Sequence, residues 1–366
     1  MVAFKPVLEV VYNGRTITAD LMPYLVSATY TGEVDQKADT IEIVVEDTKG
    51  LWRNAWYPNK GDIITLSIGS ESLLVSCGSF SVDEVNFTFP PDQITIRGIA
   101  TSFSRSVRTK TSQAHEKKTL AQVVNTVAAK NGLTVIGNIP AIFIKRVTQY
   151  RETDLNFLYR LSAKYGCTFS IRDNAIIFTN SDALEATDSG LSLDLTEVST
   201  GSLTDKTSES YKAARVSHVD VKSQKVITAM VDATGAPIIP VVPPEAWQDP
   251  VEVAKYLPPD IQEIRNVKVE NEGQAAAAAA AAMRKNLQKL SGNIRCAGNP
   301  LFMEGVTFAL TGFGALSGMF HVKRVTHTIT RGGHIMDLDI KRLSAIDKSR
   351  WQPKTVVNSD FSTTSI

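Results

Sequence analysis

The sequence predicts an α+β protein, mainly β, with a related β unit near each end and a small α+β domain between them. Three observations predict it. First, Gly78–Val85 reads Gly-Ser-Phe-Ser-Val-Asp-Glu-Val and Gly318–Val325 reads Gly-Met-Phe-His-Val-Lys-Arg-Val. Gly-x-Phe-x-Val-x-x-Val therefore occurs twice, as Gly78, Phe80, Val82 and Val85 and as Gly318, Phe320, Val322 and Val325. Each copy follows an apolar stretch opened by Gly61 or Gly305, and each precedes an alternating strand, Ile94–Arg97 or Leu338–Lys341. Second, both copies slip phase between their two valines. A strand of period two cannot do so without an extra residue, so a bulge is expected near Lys323-Arg324 and at the same place in the first copy. Third, two capped amphipathic stretches and a hairpin lie between the copies.

Taken in order, Val7–Tyr12 is rich in β-branched residues and meets the turn pair Asn13-Gly14, with Thr16-Ile17-Thr18 as return strand. Leu25–Thr31 and Thr40–Glu46 are further strands; the second sets Ile41, Ile43 and Val45 against Glu42 and Glu46, so one face is buried. Gly61–Ile68, Leu73–Cys77, Gly78–Phe87 and Asp92–Ala100 complete the first β unit, and Pro90-Pro91-Asp92 is read as a turn. The stretch with Arg105, Arg108, Lys110, Lys117 and Lys118 is read as a solvated loop, because no aromatic residues interleave beyond Phe103.

Thr119-x-x-Gln122 forms a capping box ahead of Leu120, Val123, Val124, Val127 and Ala128, and Gly132 can end that helix. Arg151–Gly166 follows the same logic: Thr153 caps, Asp154 meets the positive end of the dipole, Leu158, Leu161 and Tyr165 line one face, and Gly166 stops the helix. Thr168–Ile171 and Ala175–Thr179 make a hairpin. Leu191–Leu195, Ala214–Val221 and Lys225–Asp232 are strand-like, and seven prolines between Ala233 and Asp260 then exclude regular helix or central strand. A helix from Asn271 to Leu290 holds eight consecutive alanines, either tolerated as low complexity or used for close backbone approach. Gly292–Leu343 returns to strand, with Arg331-Gly332-Gly333 as a hairpin tip.

The chain has 366 residues, 39 Lys plus Arg and 38 Asp plus Glu, for a net charge of +1. Near-neutrality argues against nucleic-acid specificity. Three dispersed cysteines form neither a disulfide framework nor a metal pair, which suits a reducing compartment. Neither a signal peptide nor a transmembrane segment is expected. No nucleotide-binding glycine loop or Gly-x-Ser-x-Gly occurs, and His115-Glu116 lacks the second histidine of a zinc protease motif. With a tip at Gly332-Gly333, His327 would pair near Leu338 and not with His334, and His321 would lie farther away; all three are read as surface or satisfied histidines. Asp83 and Glu84 point to opposite faces of a strand, and Cys167 lies at the wrong end of a helix for an activated thiolate. No catalytic residue, metal or cofactor is expected.

The Gly78–Arg97 strands, the helix motif of Glu152, Asp154, Phe157, Leu158, Arg160, Leu161 and Gly166, and the alanine-rich helix followed by Gly-x-Phe-x-Val-x-x-Val-x-His ending at His327 resemble one family. It is the late control protein D family of tailed phages, the baseplate hub of contractile tails, similar to the N-terminal part of type VI secretion spike proteins. The resemblance runs to about residue 345; the Pro-rich segment and the tail match nothing usable. It implies a homotrimer in which each chain carries two similar β-barrel-like tube domains. Six such domains would face the sixfold tail tube, while the other side holds the trimeric spike. It also implies contacts with other baseplate proteins, and a place in the virion's tail baseplate after assembly in the host bacterial cytoplasm.

The expected division is a first tube domain over 1–100, the α+β domain over 101–182, and a β segment over 183–232. A Pro-rich loop or linker over 233–262, a helix plus second tube domain over 263–345 and a flexible tail over 346–366 complete it. The leading function is a structural symmetry adaptor without enzymatic activity. The alternatives are the hub of a phage-derived bacteriocin or other contractile injection system, and, in another class, a cell-wall hydrolase at the tail tip.

Overall fold

Apolar residues at every second position of Thr40–Glu46 leave Ile41, Ile43 and Val45 fully buried in the computed structural model. Each such side chain contributes about 1.5–3 kcal/mol when it leaves water. The structure describes residues 7–34, 38–70, 73–101, 109–172, 175–180, 190–205, 211–220, 225–232, 236–238, 260–265, 267, 269, 271–287 and 290–342. Most of the Pro-rich segment and the whole C-terminal tail lie outside the described residues.

The first β unit contains β1 (Val7–Tyr12), β2 (Arg15–Thr16), β3 (Leu25–Glu33), β4 (Thr40–Glu46), β5 (Ile63–Ser70), β6 (Leu73–Thr88) and β7 (Gln93–Ala100). The return strand after Asn13-Gly14 is shorter than expected, because Thr18 already opens a single helical turn, Thr18–Leu21. The two stretches expected as Leu73–Cys77 and Gly78–Phe87 are one strand, in which Leu66 faces Gly78 and Ser67 faces Ser76 so that Cys77 is the extra residue. Between the β units lie β8 (Lys110–Thr119), β9 (Thr134–Ile136), β10 (Phe143–Thr153), β11 (Cys167–Arg172) and β12 (Ala175–Asn180), with helices Leu120–Lys130 and Asp154–Tyr165.

The stretch read as a solvated loop is thus in part a strand. β8 pairs antiparallel with β10 in a two-stranded ribbon. Its sequence carries no apolar period because both its faces are largely wet, and His115 is its one buried side chain.

β13 (Ser192–Asp194) and β14 (Val198–Thr204) return to the main sheet; β15 (Ala213–Asp220), β16 (Lys225–Asp232) and β17 (Ile261–Ile264) form a separate sheet in the order β16-β15-β17. The alanine-rich helix, Glu272–Leu287, packs on that small sheet and not on the second β unit. Ala275, Ala278, Ala279 and Met283 share a core with Ala214, Val216 and Val231. The alanines are therefore used for close approach. Asn271 Oδ1 accepts from Gln274 N at 2.8 Å as the cap, and the Gln274 amide donates to the Phe143 carbonyl at 2.7 Å, tying this helix to β10.

The second β unit is completed by β18 (Ser291–Ala297), β19 (Thr307–Thr311), β20 (Gly318–Thr330) and β21 (Gly333–Arg342). The strand order β5-β6-β7-β4-β3 of the first unit is matched by β19-β20-β21-β18-β14 of the second. The two units are not separate barrels. They merge into one thirteen-stranded sheet through an antiparallel pairing of β20 with β3, and among the described strands this sheet does not close.

Candidate assembly interface

The repeat motif builds the same local structure twice. Phe80 and Phe320 are fully buried, as are Val82 and Val322. Val82 faces Gly98 and Glu84 faces Arg97, leaving Asp83 as a bulge; Val322 faces Ile340 and Arg324 faces Asp339, leaving Lys323 as a bulge. The bulge thus sits at the same motif position in both copies. Gly61 N donates to Val82 O at 2.8 Å and Gly305 N to Val322 O at 2.8 Å. Val82 N donates to Asp62 O at 2.8 Å and Val322 N to Val306 O at 2.9 Å. Gly78 and Gly318 both have positive φ, +102° and +148°, which explains a glycine at the head of the motif.

A second shared defect lies on strands where sequence reasoning found no repeat. Leu25 faces Val45 and Ser27 faces Val44, so Val26 is extra in β3; Val198 faces Cys296 and Thr200 faces Arg295, so Ser199 is extra in β14. Through their partners β4 and β18, β3 and β14 hold equivalent places, with Tyr30 corresponding to Leu203. In this register Ser27-Ala28-Thr29 aligns with Thr200-Gly201-Ser202 and Thr31 with Thr204, but these small polar residues give β14 no apolar alternation by which to recognise a strand. One strand departs from the scheme: β13 runs parallel to β19, whereas β1 runs antiparallel to β5.

The junction between the units is built on β3 and β20. Arg324–Thr330 pairs with Ser27–Glu33, with His327 opposite Tyr30 and Thr326 opposite Thr31. Thr31 Oγ1 and Thr326 Oγ1 are 3.4 Å apart, and the Tyr30 and His327 rings stack at 6.3 Å. Tyr30 donates its hydroxyl to Glu304 Oε2 at 2.9 Å, and Val34 N donates to Lys323 O at 2.9 Å.

The histidine expectation needs correction here. The two-residue tip is Arg331-Gly332, since Thr330 faces Gly333, and His327 faces Met336. That shift brings the two rings together: His327 Nδ1 lies 2.9 Å from His334 Nε2, and His327 Nε2 lies 2.8 Å from the Phe302 carbonyl. A carbonyl only accepts, so His327 Nε2 carries the proton and His334 Nε2–H donates to Nδ1. Burial pushes both imidazoles down to about 4, with mutual repulsion adding to the effect at His327. Gly298 is required beside them, because a Cβ there would stand about 2.1 Å from the His334 ring. His321 lies apart, half-buried opposite Lys341; burial, Lys341 and Lys323 hold it at about 4.

The helix motif is a buried polar clamp. Thr153 caps Asp154–Tyr165 by accepting from Asn156 N at 3.2 Å, and Gly166 ends it at φ +67°. Phe157, Leu158 and Leu161 are buried, and Phe157 stacks on His115 at 5.3 Å. Asp154 is buried too. It accepts from Gln149 at 2.8 Å and Asn131 at 2.9 Å and pairs with Lys130 at 2.9 Å. Burial works to raise its pKa, but those donors outweigh it and hold the carboxyl below the usual range. Arg160 bridges the Glu152 carboxylate and the Thr148 carbonyl, the latter at 3.0 Å, and lies over the Phe157 ring.

Asp154 gathers the Lys130, Asn131 and Gln149 donors, so the clamp holds the helix on the β8–β10 ribbon, while His115 Nε2, Asn131 Oδ1 and Gln149 Oε1 are buried without a hydrogen-bond partner. The three cysteines are buried and none is in a disulfide; burial pushes Cys296 up to about 12, assisted by Glu197 and Asp337. Among the described residues, no group of three or more His, Cys, Asp or Glu side chains could hold a metal ion. No helix among them is long and apolar enough to cross a membrane.

Comparison with known proteins agrees with this architecture. A relative described as a "Probable baseplate hub protein" of Escherichia phage 186 is 30% identical over 179 residues, 48% of this chain and 45% of its own length. The protein of the same description from Escherichia phage P2 is 29% identical over 169 residues, 45% of this chain and 43% of its own. The matches thus span less than half the length of these relatives. The 43 kDa tail protein of prophage MuSo2 from Shewanella oneidensis shares the fold at a TM-score of 0.68, with 14% identity, over 94% of this chain and 100% of that one. The model of the phage tail baseplate hub (GPD) family matches residues 76–333, from the first repeat motif to the tip of the last hairpin, and the chain belongs to that family.

Proposed function

We propose that the protein is a structural baseplate hub that acts as a homotrimer, adapting a sixfold tail tube to a threefold central spike in the virion's tail. The observation that carries the reading is the duplication. Two units with the same strand order and the same two bulges stand side by side in one chain, joined by one junction. Three copies supply six such units, the number a sixfold partner requires, while the chain as a whole repeats only three times. The first and second tube units, over residues 1–100 and 263–345 with β14 added, face the tube protein. The α+β domain over 101–182, held by the Asp154 clamp, faces other baseplate proteins or the trimeric spike. The repeat motif fixes the shape of each unit, and the adaptor performs no chemistry.

Electron microscopy of the assembled tail tip tests this. Three hub chains should form one ring of six near-equivalent densities. A ring with six hub chains would refute the adaptor reading. Peptidoglycan zymography of the purified protein should give no clearing, and clearing lost on substitution of one of this chain's own carboxylates would favour the hydrolase instead.

A further inference from the structure

The junction between the two units has a counterpart that the single chain leaves open. β20 is paired on both sides: β21 on one, and β19 followed by β3 on the other. β6 is its equivalent, with β7 on one side and β5 on the other, but β5 reaches only as far as Ser81. Beyond the bulge, Glu84–Thr88 has no described strand on that side. β14 is the equivalent of β3, and among the described strands it ends the sheet, paired only with β18. Among the described residues the chain therefore carries one completed junction and the two separate halves of a second.

Exposure follows the same division. Along β20, Val325, His327 and Ile329 are buried; at the equivalent positions Val85 and Phe87 are half-buried and Phe89 is 68% exposed, against 3% for Ile329. In β3, Ala28 and Tyr30 are buried, while their equivalents in β14, Gly201 and Leu203, are exposed and half-buried. The inward-outward alternation is kept and its cover is missing. A bare edge ending in an exposed aromatic residue is a liability unless another strand covers it.

We propose that the Glu84–Thr88 edge of β6 pairs antiparallel with the outer edge of β14 in a second copy of this chain, in the register Phe87 opposite Leu203. This deepens the hub reading and rests on it. Carrying the β20–β3 register across sets Asn86 opposite Thr204 and Thr88 opposite Ser202, and lays Phe89 against Gly201 as Ile329 lies against Ala28. A head-to-tail contact of this kind makes a ring if the rotation closes and a filament if it does not. Three copies close it, with three junctions inside chains alternating with three between them.

Cysteine cross-linking of the full chain tests the pairing. Asn86 and Thr204 correspond to Thr326 and Thr31, whose Oγ atoms are 3.4 Å apart, so paired cysteines there fall within disulfide reach. On mild oxidation, the Asn86→Cys/Thr204→Cys double variant should give a covalent ladder that stops at three chains and collapses on reduction. Either single variant, and Asn86→Cys/Leu203→Cys with its second cysteine on the opposite face, should give no ladder; the native cysteines are buried and contribute no background. Light scattering on the unaltered chain separates the failures. A mass of three chains without the cross-link would overturn this edge pairing and leave the threefold hub standing. A single-chain mass without the cross-link would overturn both, and a ladder running past three would overturn the closed ring.

Discussion

Phe80→Ala and Phe320→Ala form a matched pair of perturbations, one in each copy of the motif. Both rings are fully buried, and the sheets around them share strand order and bulge position. Truncating a buried Phe removes its transfer free energy and leaves a cavity, together about 3–5 kcal/mol. The surroundings then separate the two. Phe80 presents an edge-on contact to Tyr30 at 6.2 Å, worth about 0.5–1.5 kcal/mol. Phe320 has a comparable ring contact, with Phe308 at 6.3 Å, but it also has the Arg342 guanidinium 6.0 Å from its ring, and Arg342 Nε is buried without a hydrogen-bond partner. Water entering the Phe320 cavity could hydrate that group and offset part of the loss. Phe80→Ala is therefore expected near the upper end of the range and Phe320→Ala nearer the lower. Urea unfolding followed by tryptophan fluorescence and circular dichroism measures both, through the shift in midpoint at constant slope. A loss below about 1.5 kcal/mol at either site would refute the claim that the two phenylalanines fill equivalent core positions.

Other consequences can be measured alongside. Asp154→Asn should cost about 2–4 kcal/mol, because Lys130 and three amide or hydroxyl donors lose a common acceptor; a change below about 1 kcal/mol in the same titration would contradict the clamp. The histidine pair sets a pH window. Imidazoles held at about 4 in the fold and near 6.5 when unfolded contribute stability that is full above about 6.5 and is lost as pH falls toward 4, by at most about 1.4 kcal/mol per pH unit for each ring. His327→Phe, the residue type found at the matching Phe87, should reduce that slope, with His334 and His321 left to supply the remainder; an unchanged slope would rule His327 out as a source. Gly298→Ala should destabilise by about 1–3 kcal/mol and reduce near-ultraviolet ellipticity, since the His334 ring must move; wild-type stability would mean that the ring has room. Phe89→Ser should leave the melting temperature of the single chain within a degree or two while weakening self-association. A large fall in stability would instead make Phe89 part of the monomer core.

The sequence by itself determined the duplication and its central strands. Phe80 and Val82, like Phe320 and Val322, face inward, and the break in period two before Val85 and Val325 required the bulges found at Asp83 and Lys323. It also determined where the helices start, because an N-cap is a contact between residues three apart: Thr119 with Gln122, Thr153 with Asn156, Asn271 with Gln274; the alanine-rich helix is described only to Leu287, short of the expected Leu290. β8 and β14 were not legible. Their side chains are mostly wet on both faces, and a strand held chiefly by backbone hydrogen bonds leaves little mark on residue choice. The histidine contact was missed for a related reason: moving the hairpin tip by one residue changes every cross-strand neighbour, and Arg331-Gly332-Gly333 allows either tip. Only the tertiary structure decided that the two units share one sheet, that β3 and β14 are equivalent, and that, among the described strands, β20 meets β3 while the matching edges of β6 and β14 have no strand beside them. Backbone N–H and C=O groups, identical at every residue, make those edges, so their partners are chosen by the path of the whole chain.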